Sequence, residues 1–213
     1  NSLAFHLADS VIGAFTRSRR KDAGSRAESI LDRLIEYSEE ENPAIRPDAR
    51  SFNLLLSYYA KSKAPDSSYR ADYMLNRMVN RFKEGQLQQM LPSLFSFTSV
   101  IESYASASHP DAGPNADRLL KLVRQLNDTY NAGLEVNTSF MNSALFAWAS
   151  CGADDAGSRV EVYLDEMEAA FETGRLHLAP DTRSYGLALS AWSKSTARDK
   201  HLRALAILQR MKR

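Results

Sequence analysis

Apolar residues recur along this chain at two nested periods. Locally they fall three and four residues apart, the spacing of one helical face. At longer range the same face returns every 44 or 45 residues. A column of large aromatic residues reads Phe15, Tyr59, Tyr104, Trp148 and Trp192. Three residues earlier stand Ile12, Leu56, Ile101, Leu145 and Leu189, and four before those Ala8, Phe52, Phe97, Met141 and Tyr185. A second face keeps the same register. It opens on the small residues Ala27, Ala71, Ala116, Val160 and Ala204. It continues through Leu31, Leu75, Leu120, Leu164 and Leu208 to Leu34, Met78, Val123, Met167 and Met211. The opening columns of the two faces lie 19 residues apart in every copy. The pattern predicts five helix–turn–helix repeats over about 5–48, 49–93, 94–137, 138–181 and 182–213.

The connections carry turn chemistry. Residues 63–67, 109–115 and 152–158 are Pro/Gly/Asp/Ser clusters, expected to end one helix and cap the next. Arg46-Pro47-Asp48, Leu91-Pro92-Ser93 and Ala179-Pro180-Asp181 stand ahead of first helices, where Asp or Ser can accept from free helix N–H groups. No alternating β-branched run competes, so the fold class expected is all-α. A single hairpin cannot hide its apolar stripe, whereas stacked hairpins can. One α–α superhelical solenoid across 1–213 is therefore the expected architecture. The chain starts without Met and stops where a helix could continue, so we read it as part of a longer protein.

Charge adds little. The 27 Lys and Arg balance 26 Asp and Glu, so any basic surface must come from sorting charges by face. Cys151 is alone and cannot form an internal disulfide. The four histidines share no i,i+4 spacing with each other or with Cys151, which argues against a zinc site. Asp154-Asp155 and Glu39-Glu40-Glu41 lie in turns or helix ends, poor places for a perturbed carboxylate. No phosphate loop, deaminase signature or nucleophile elbow occurs. No run approaches the ~18 apolar residues of a membrane span. The expectation is a non-enzyme with no catalytic residue, metal, cofactor, small-molecule substrate or membrane partner.

The run Pro-Asp-x-x-Ser-aromatic-Asn/Gly before an apolar helix (Pro47 to Tyr59, Pro180 to Trp192), closed by Ala71-Leu75-Met78 or Ala204-Leu208-Met211, resembles the pentatricopeptide repeat. The resemblance covers nearly the whole chain. The usual repeat is nearer 35 residues, and the glycine favoured between its paired helices is not regular here. The resemblance implies a right-handed superhelix that reads single-stranded RNA at one base per repeat. It also implies a mitochondrial or plastid setting in RNA processing, stability or translation. The residue after each opening aromatic and the last residue before the next repeat are then the base-edge candidates. These are Asp9 with Asp48, Asn53 with Ser93, Thr98 with Asn137, and Asn142 with Asp181, followed by Gly186. By the family pattern they suggest a central C-A-U, with two acids in the first pair. His6, Arg50, Phe95 and Arg183 offer flat faces for stacking. Arg17, Lys61 and Lys194 stand where the family contacts phosphate, with Ser106 and Ser150 in the other two repeats.

Each has a plainer reading: Asn53, Thr98 and Asn142 as caps, the arginines as solvated charges, the basic cluster Arg17, Arg19, Arg20, Lys21 as a soluble turn. The aromatic column and Met78, Met167 and Met211 read as core. A protein-interaction scaffold, or a structural subunit of a larger assembly such as a ribosome, is the competing function, favoured by the near-neutral charge. Polar residues in both base-edge columns favour RNA, because a peptide groove calls for apolar ones.

Overall fold

The computed structural model describes residues 2–18, 20, 22–40, 47–62, 64–85 and 88–212, the side chains of 2–8 and 88 excepted. Among these residues it is all-α, with ten helices and no strand. They are α1 (Ser2–Arg17), α2 (Ala23–Glu40), α3 (Ala49–Lys61), α4 (Ser67–Gly85), α5 (Leu94–Ser106), α6 (Ala112–Tyr130), α7 (Thr138–Ser150), α8 (Ala156–Glu172), α9 (Thr182–Lys194) and α10 (Lys200–Arg210). Single 3-10 turns follow α4 and α8. The first helices α3, α5, α7 and α9 are each 13 residues long, and their starts repeat at the spacing of the aromatic columns.

The chain divides into two compact units, 1–103 and 104–213, the division falling within α5. In the first unit α1 packs on α2 and α3, α2 on α3, and α3 on α4. In the second, α6 packs on α7, α7 on α8 and α9, α8 on α9, and α9 on α10. In both units a first helix touches its own partner and a second helix touches the next first helix. Nearest-neighbour packing of this kind is what a repeat array requires. The core is the expected one: Phe52, Leu56, Leu75 and Met78 are fully buried in the first unit, and Met141, Leu145, Leu164 and Met167 in the second. Fully burying such a side chain contributes about 1.5–3 kcal/mol.

The structure corrects two readings of the turns. Residues 112–115 and 156–158, expected in loops, form the first turns of α6 and α8. Pro114 is tolerated because first-turn N–H groups have no helical acceptor to lose. Gly113 and Gly157 stand there because a neighbouring ring occupies the space of a side chain. A Cβ on Gly113 would lie 2.4 Å from the Trp148 indole, and one on Gly157 2.7 Å from that of Trp192. Gly24 in α2 sits likewise, 2.7 Å from Tyr58 and Tyr59. All three precede the small column by three residues, so the helix-pairing glycine is regular in three repeats. The second correction concerns caps. Asp48, Asn137 and Asp181 cap α3, α7 and α9 with their side chains, but Asp111, Asp155 and Asp199 make no such bond to α6, α8 and α10.

Four of the five column aromatics, Tyr59, Tyr104, Trp148 and Trp192, are buried, while Phe15 is half-buried, and the polar edges of Tyr59 and Trp148 are anchored. The Tyr59 hydroxyl donates to Glu28, which also accepts from Arg70 at 2.9 Å. Trp148 Nε1 and the Tyr163 hydroxyl donate to Asp117 Oδ1 at 2.9 and 2.6 Å, and Arg159 pairs with the other oxygen. Arg159 also lies over the Trp148 ring at 5.1 Å. At the next junction Arg203 lies 5.8 Å from the Trp192 ring centre and 3.6 Å from Glu161. At these three junctions the residue after the small position, Glu28, Asp117 or Glu161, supplies an acid, and the next hairpin supplies the aromatic and the arginine.

Candidate functional site

The base-edge candidates lie where one first helix meets the N-terminus of the next. Asp48, Asn137 and Asp181, each the last residue of its repeat, are the N-caps of the following first helices, in extended backbone beside free helix N–H groups. Asp181, the clearest case, closes a capping box with Ser184. In three pairs the partner residue, Asp9, Asn53 or Asn142, projects from the preceding first helix toward the same place.

Three of the four pairs are brought together, each around a serine that precedes the opening column. Ser51 Oγ donates to Asp9 Oδ1 at 2.7 Å, while Asp48 Oδ1 accepts from the backbone of Arg50 at 2.8 Å and of Ser51 at 3.4 Å. Ser96 Oγ donates to Asn53 Oδ1 at 2.7 Å and accepts from the Ser93 backbone at 3.1 Å, with the Ser93 hydroxyl 3.4 Å away. Ser184 Oγ donates to Asn142 Oδ1 at 2.6 Å, and Asn142 Nδ2 reaches both Asp181 oxygens at 3.2 Å. Asn142 is only 3% exposed, whereas Asn53 and Asp9 are partly open. Burial works against charge on Asp181, but the amides of Ser184 and Arg183, the Asn142 amide and the Ser184 hydroxyl outweigh it and hold the carboxyl below its ordinary range.

The fourth pair departs from this pattern. Phe140 occupies the serine column, Thr98 turns its hydroxyl back to the Leu94 carbonyl at 2.8 Å, and Asn137 caps α7 through Phe140 N–H at 3.0 Å. Gly186 is exposed with open space around its Cα.

The stacking candidates Arg50, Phe95 and Arg183 are all exposed, Phe95 to 53%. Arg50 lies 4.0 Å from Asp9, a contact that draws this guanidinium over the first pair. The side chain of His6 lies outside the described residues. Of the phosphate candidates, Arg17 and Lys61 are exposed, and Lys61 lines a cleft of about 290 Å3 with Arg20, Thr16, Ser18, Tyr58 and Ser62. The Ser18 hydroxyl is buried there without a hydrogen-bond partner. Lys194 instead donates to the Ala149 carbonyl at 2.7 Å, capping the end of α7. Ser150 bonds its own helix through Phe146. Arg19 and Lys21 lie outside the described residues.

Charge is sorted by layer. The five first helices hold five Lys and Arg (Arg17, Arg50, Lys61, Arg183, Lys194) against two acids, Asp9 and Glu102. Second-helix arginines are consumed by acids of a neighbouring hairpin, as in Arg77 with Asp32 at 2.6 Å, Arg81 with Glu39 at 2.8 Å and Arg210 with Asp165 at 2.5 Å. Among the described residues no cluster of His, Cys, Asp and Glu could hold a metal ion, and no helix is long and apolar enough to cross a membrane. Sequence reasoning read Ser51 and Ser184 as part of the repeat signature but missed the bonds the serine column makes, and it missed the acid–arginine column. Both are visible as Ser51, Ser96, Ser184 and as Glu28, Asp72, Asp117, Glu161 once the repeats are aligned. A scan of protein-family models finds no match to this chain, and a search of curated proteins finds none either.

Proposed function

We propose that the chain is a solenoid of pentatricopeptide-like repeats that binds single-stranded RNA through the polar pairs at its first-helix N-termini, among them Asn53 with Ser93 and Asn142 with Asp181. The observation that carries this reading is the convergence of Asn53 with Ser93 at the N-terminus of α5 in the first unit, and of Asn142 with Asp181 at that of α9 in the second. Each pair leaves a different edge. Ser184 takes the Asn142 carbonyl and Asp181 takes its amide, so the pair offers carboxylate acceptors that suit the N3–H of uracil. Ser96 takes the Asn53 carbonyl, leaving an amide donor and the Ser93 hydroxyl, which suit the acceptor edge of cytosine. The net basic first-helix layer and the exposed Arg50, Phe95 and Arg183 supply phosphate attraction and stacking surfaces. Action in an organelle rests on the family resemblance alone.

The competing scaffold reading draws on Asn142 and Lys194, both of which spend hydrogen bonds inside the protein. Titration of labelled single-stranded RNA separates the two. A C-A-U-centred oligomer should outbind its scramble and the DNA equivalent, and should weaken several-fold between about 50 and 200 mM salt. Stacking of about 1–3 kcal/mol per base against an association cost of about 4–15 kcal/mol predicts weak binding. Absence of binding at the lower salt would sink the RNA reading and leave the scaffold.

A further inference from the structure

In each unit one buried serine proton sets which way an asparagine amide faces. Ser96 and Ser184 are both 0% exposed, so their hydroxyls must find partners inside the protein. Each serine oxygen accepts the backbone N–H of the residue three before it, that of Ser93 at 3.1 Å and that of Asp181 at 3.1 Å. The serine keeps one proton to give. It goes to Asn53 Oδ1 at 2.7 Å in the first unit and to Asn142 Oδ1 at 2.6 Å in the second. Those lengths are ordinary for O–H···O and short for N–H···O. The other oxygens in reach are farther, Ser93 Oγ at 3.4 Å and Asp181 Oδ1 at 3.1 Å. An Asn53 amide turned over would face its NH2 to an oxygen that already accepts, and would leave the Ser96 proton only the longer contact.

The two amides differ at their other end. Asn142 is held a second time, because its Nδ2 donates to both Asp181 oxygens at 3.2 Å. Asn53 Nδ2 donates to none of the described residues, and Asn53 is half-buried rather than buried. Its orientation therefore depends on Ser96 alone. The same column does not select everywhere. Ser51 gives its proton to Asp9 at 2.7 Å, and the two oxygens of a carboxylate are alike, so no orientation is chosen there. Phe140, buried at the serine position of α7, has no hydroxyl to give.

We propose that Ser96 is a specificity-determining residue of the first unit: its hydroxyl proton holds the Asn53 carbonyl inward and the amide N–H outward, which excludes bases whose facing edge donates. Cytosine presents an N3 acceptor and uracil an N3–H donor on the same edge. Ser96 thus chooses between them by positioning Asn53. The inference rests on the base-readout reading above.

The test titrates the whole chain with single-stranded RNA oligomers centred on C-A-U, U-A-U and C-A-C. The parent is expected to prefer C at the first of these bases and U at the last, each by about tenfold. Ser96→Ala frees the Asn53 amide to turn, and should bring the first preference below about twofold while the last is kept. Ser96→Cys, close in shape but a weaker donor, should fall between. Ser184→Ala should keep most of the preference at the last base, since Asp181 still holds that amide. A serine that only supports the fold would weaken all three oligomers alike. That result, or a first preference unchanged in Ser96→Ala, would overturn the inference and leave base readout standing. A parent with no preference at either base would overturn both.

Discussion

Two junctions of the second unit share a shape and differ in polarity. Trp148 and Trp192 both lie against a helix-start glycine, and both are overlaid by the arginine of their own repeat. Asp117 then gathers Trp148 Nε1, Tyr163 and Arg159 onto one half-buried carboxylate, whereas Trp192 Nε1 is buried with no hydrogen-bond partner and Glu161 pairs with Arg203, at 3.6 Å. Shape complementarity is thus enough to form a junction. The polar anchor is an addition that one junction has and the other lacks.

The largest effect should come from attacking the shared feature. Gly113→Ala places a methyl group 2.4 Å from ring carbon, and overpacking at that distance should cost about 3 kcal/mol. Gly157→Ala should cost slightly less. Urea unfolding of each variant checks this through the midpoint at constant slope. Breaking the anchors should separate the junctions. Asp117→Ala strands three donors and should destabilise by about 2–3 kcal/mol, while Glu161→Ala removes one long, half-exposed ion pair and should cost under about 1 kcal/mol. A smaller contrast should follow from the indoles. Trp148→Phe should cost about 1 kcal/mol more than Trp192→Phe, whose lost N–H satisfied nothing.

The smallest effect is on pH. Burial pushes the Tyr163 phenol up to about 12, against the pull of Arg159. A folded pKa above the unfolded value of about 10 means that the neutral phenol's contribution is complete below pH 10. It is then lost as pH rises toward 12. Tyr185, raised to about 12 by burial and then by its bond to Glu168, acts in the same window. Tyr163→Phe should flatten part of that alkaline decline in a series of thermal melts. Asp181 works in the other direction: its lowered pKa stabilises above the ordinary carboxylate value, and that contribution fades as pH falls below about 4.

The helices were legible because both apolar faces repeat with at most one residue of drift, so each copy reinforces the others. Two caps between repeats were legible too, since Asp48 and Asp181 act locally, whereas the Asn137 cap of α7 was not foreseen. The Pro/Gly clusters misled because Gly113 and Gly157 answer to a ring from another hairpin, and a tertiary demand leaves no local trace. For the same reason Asn142 read as a free base-edge residue, although Ser184, 42 residues away, holds its carbonyl. Alignment of the columns places Ser184 above Ser51 and Ser96, but the bond itself exists only once the helices pack.

The central claim, base readout by paired residues at first-helix N-termini, meets its most direct test in Asp181→Ser. Serine caps a helix nearly as well as aspartate, so α9 should persist and circular dichroism should match the parent. The Asn142 pair would then copy the Asn53–Ser93 pair. The account predicts that preference at that base moves from uracil to cytosine by about tenfold, close to 1.4 kcal/mol. An unchanged base preference in a folded variant would contradict it.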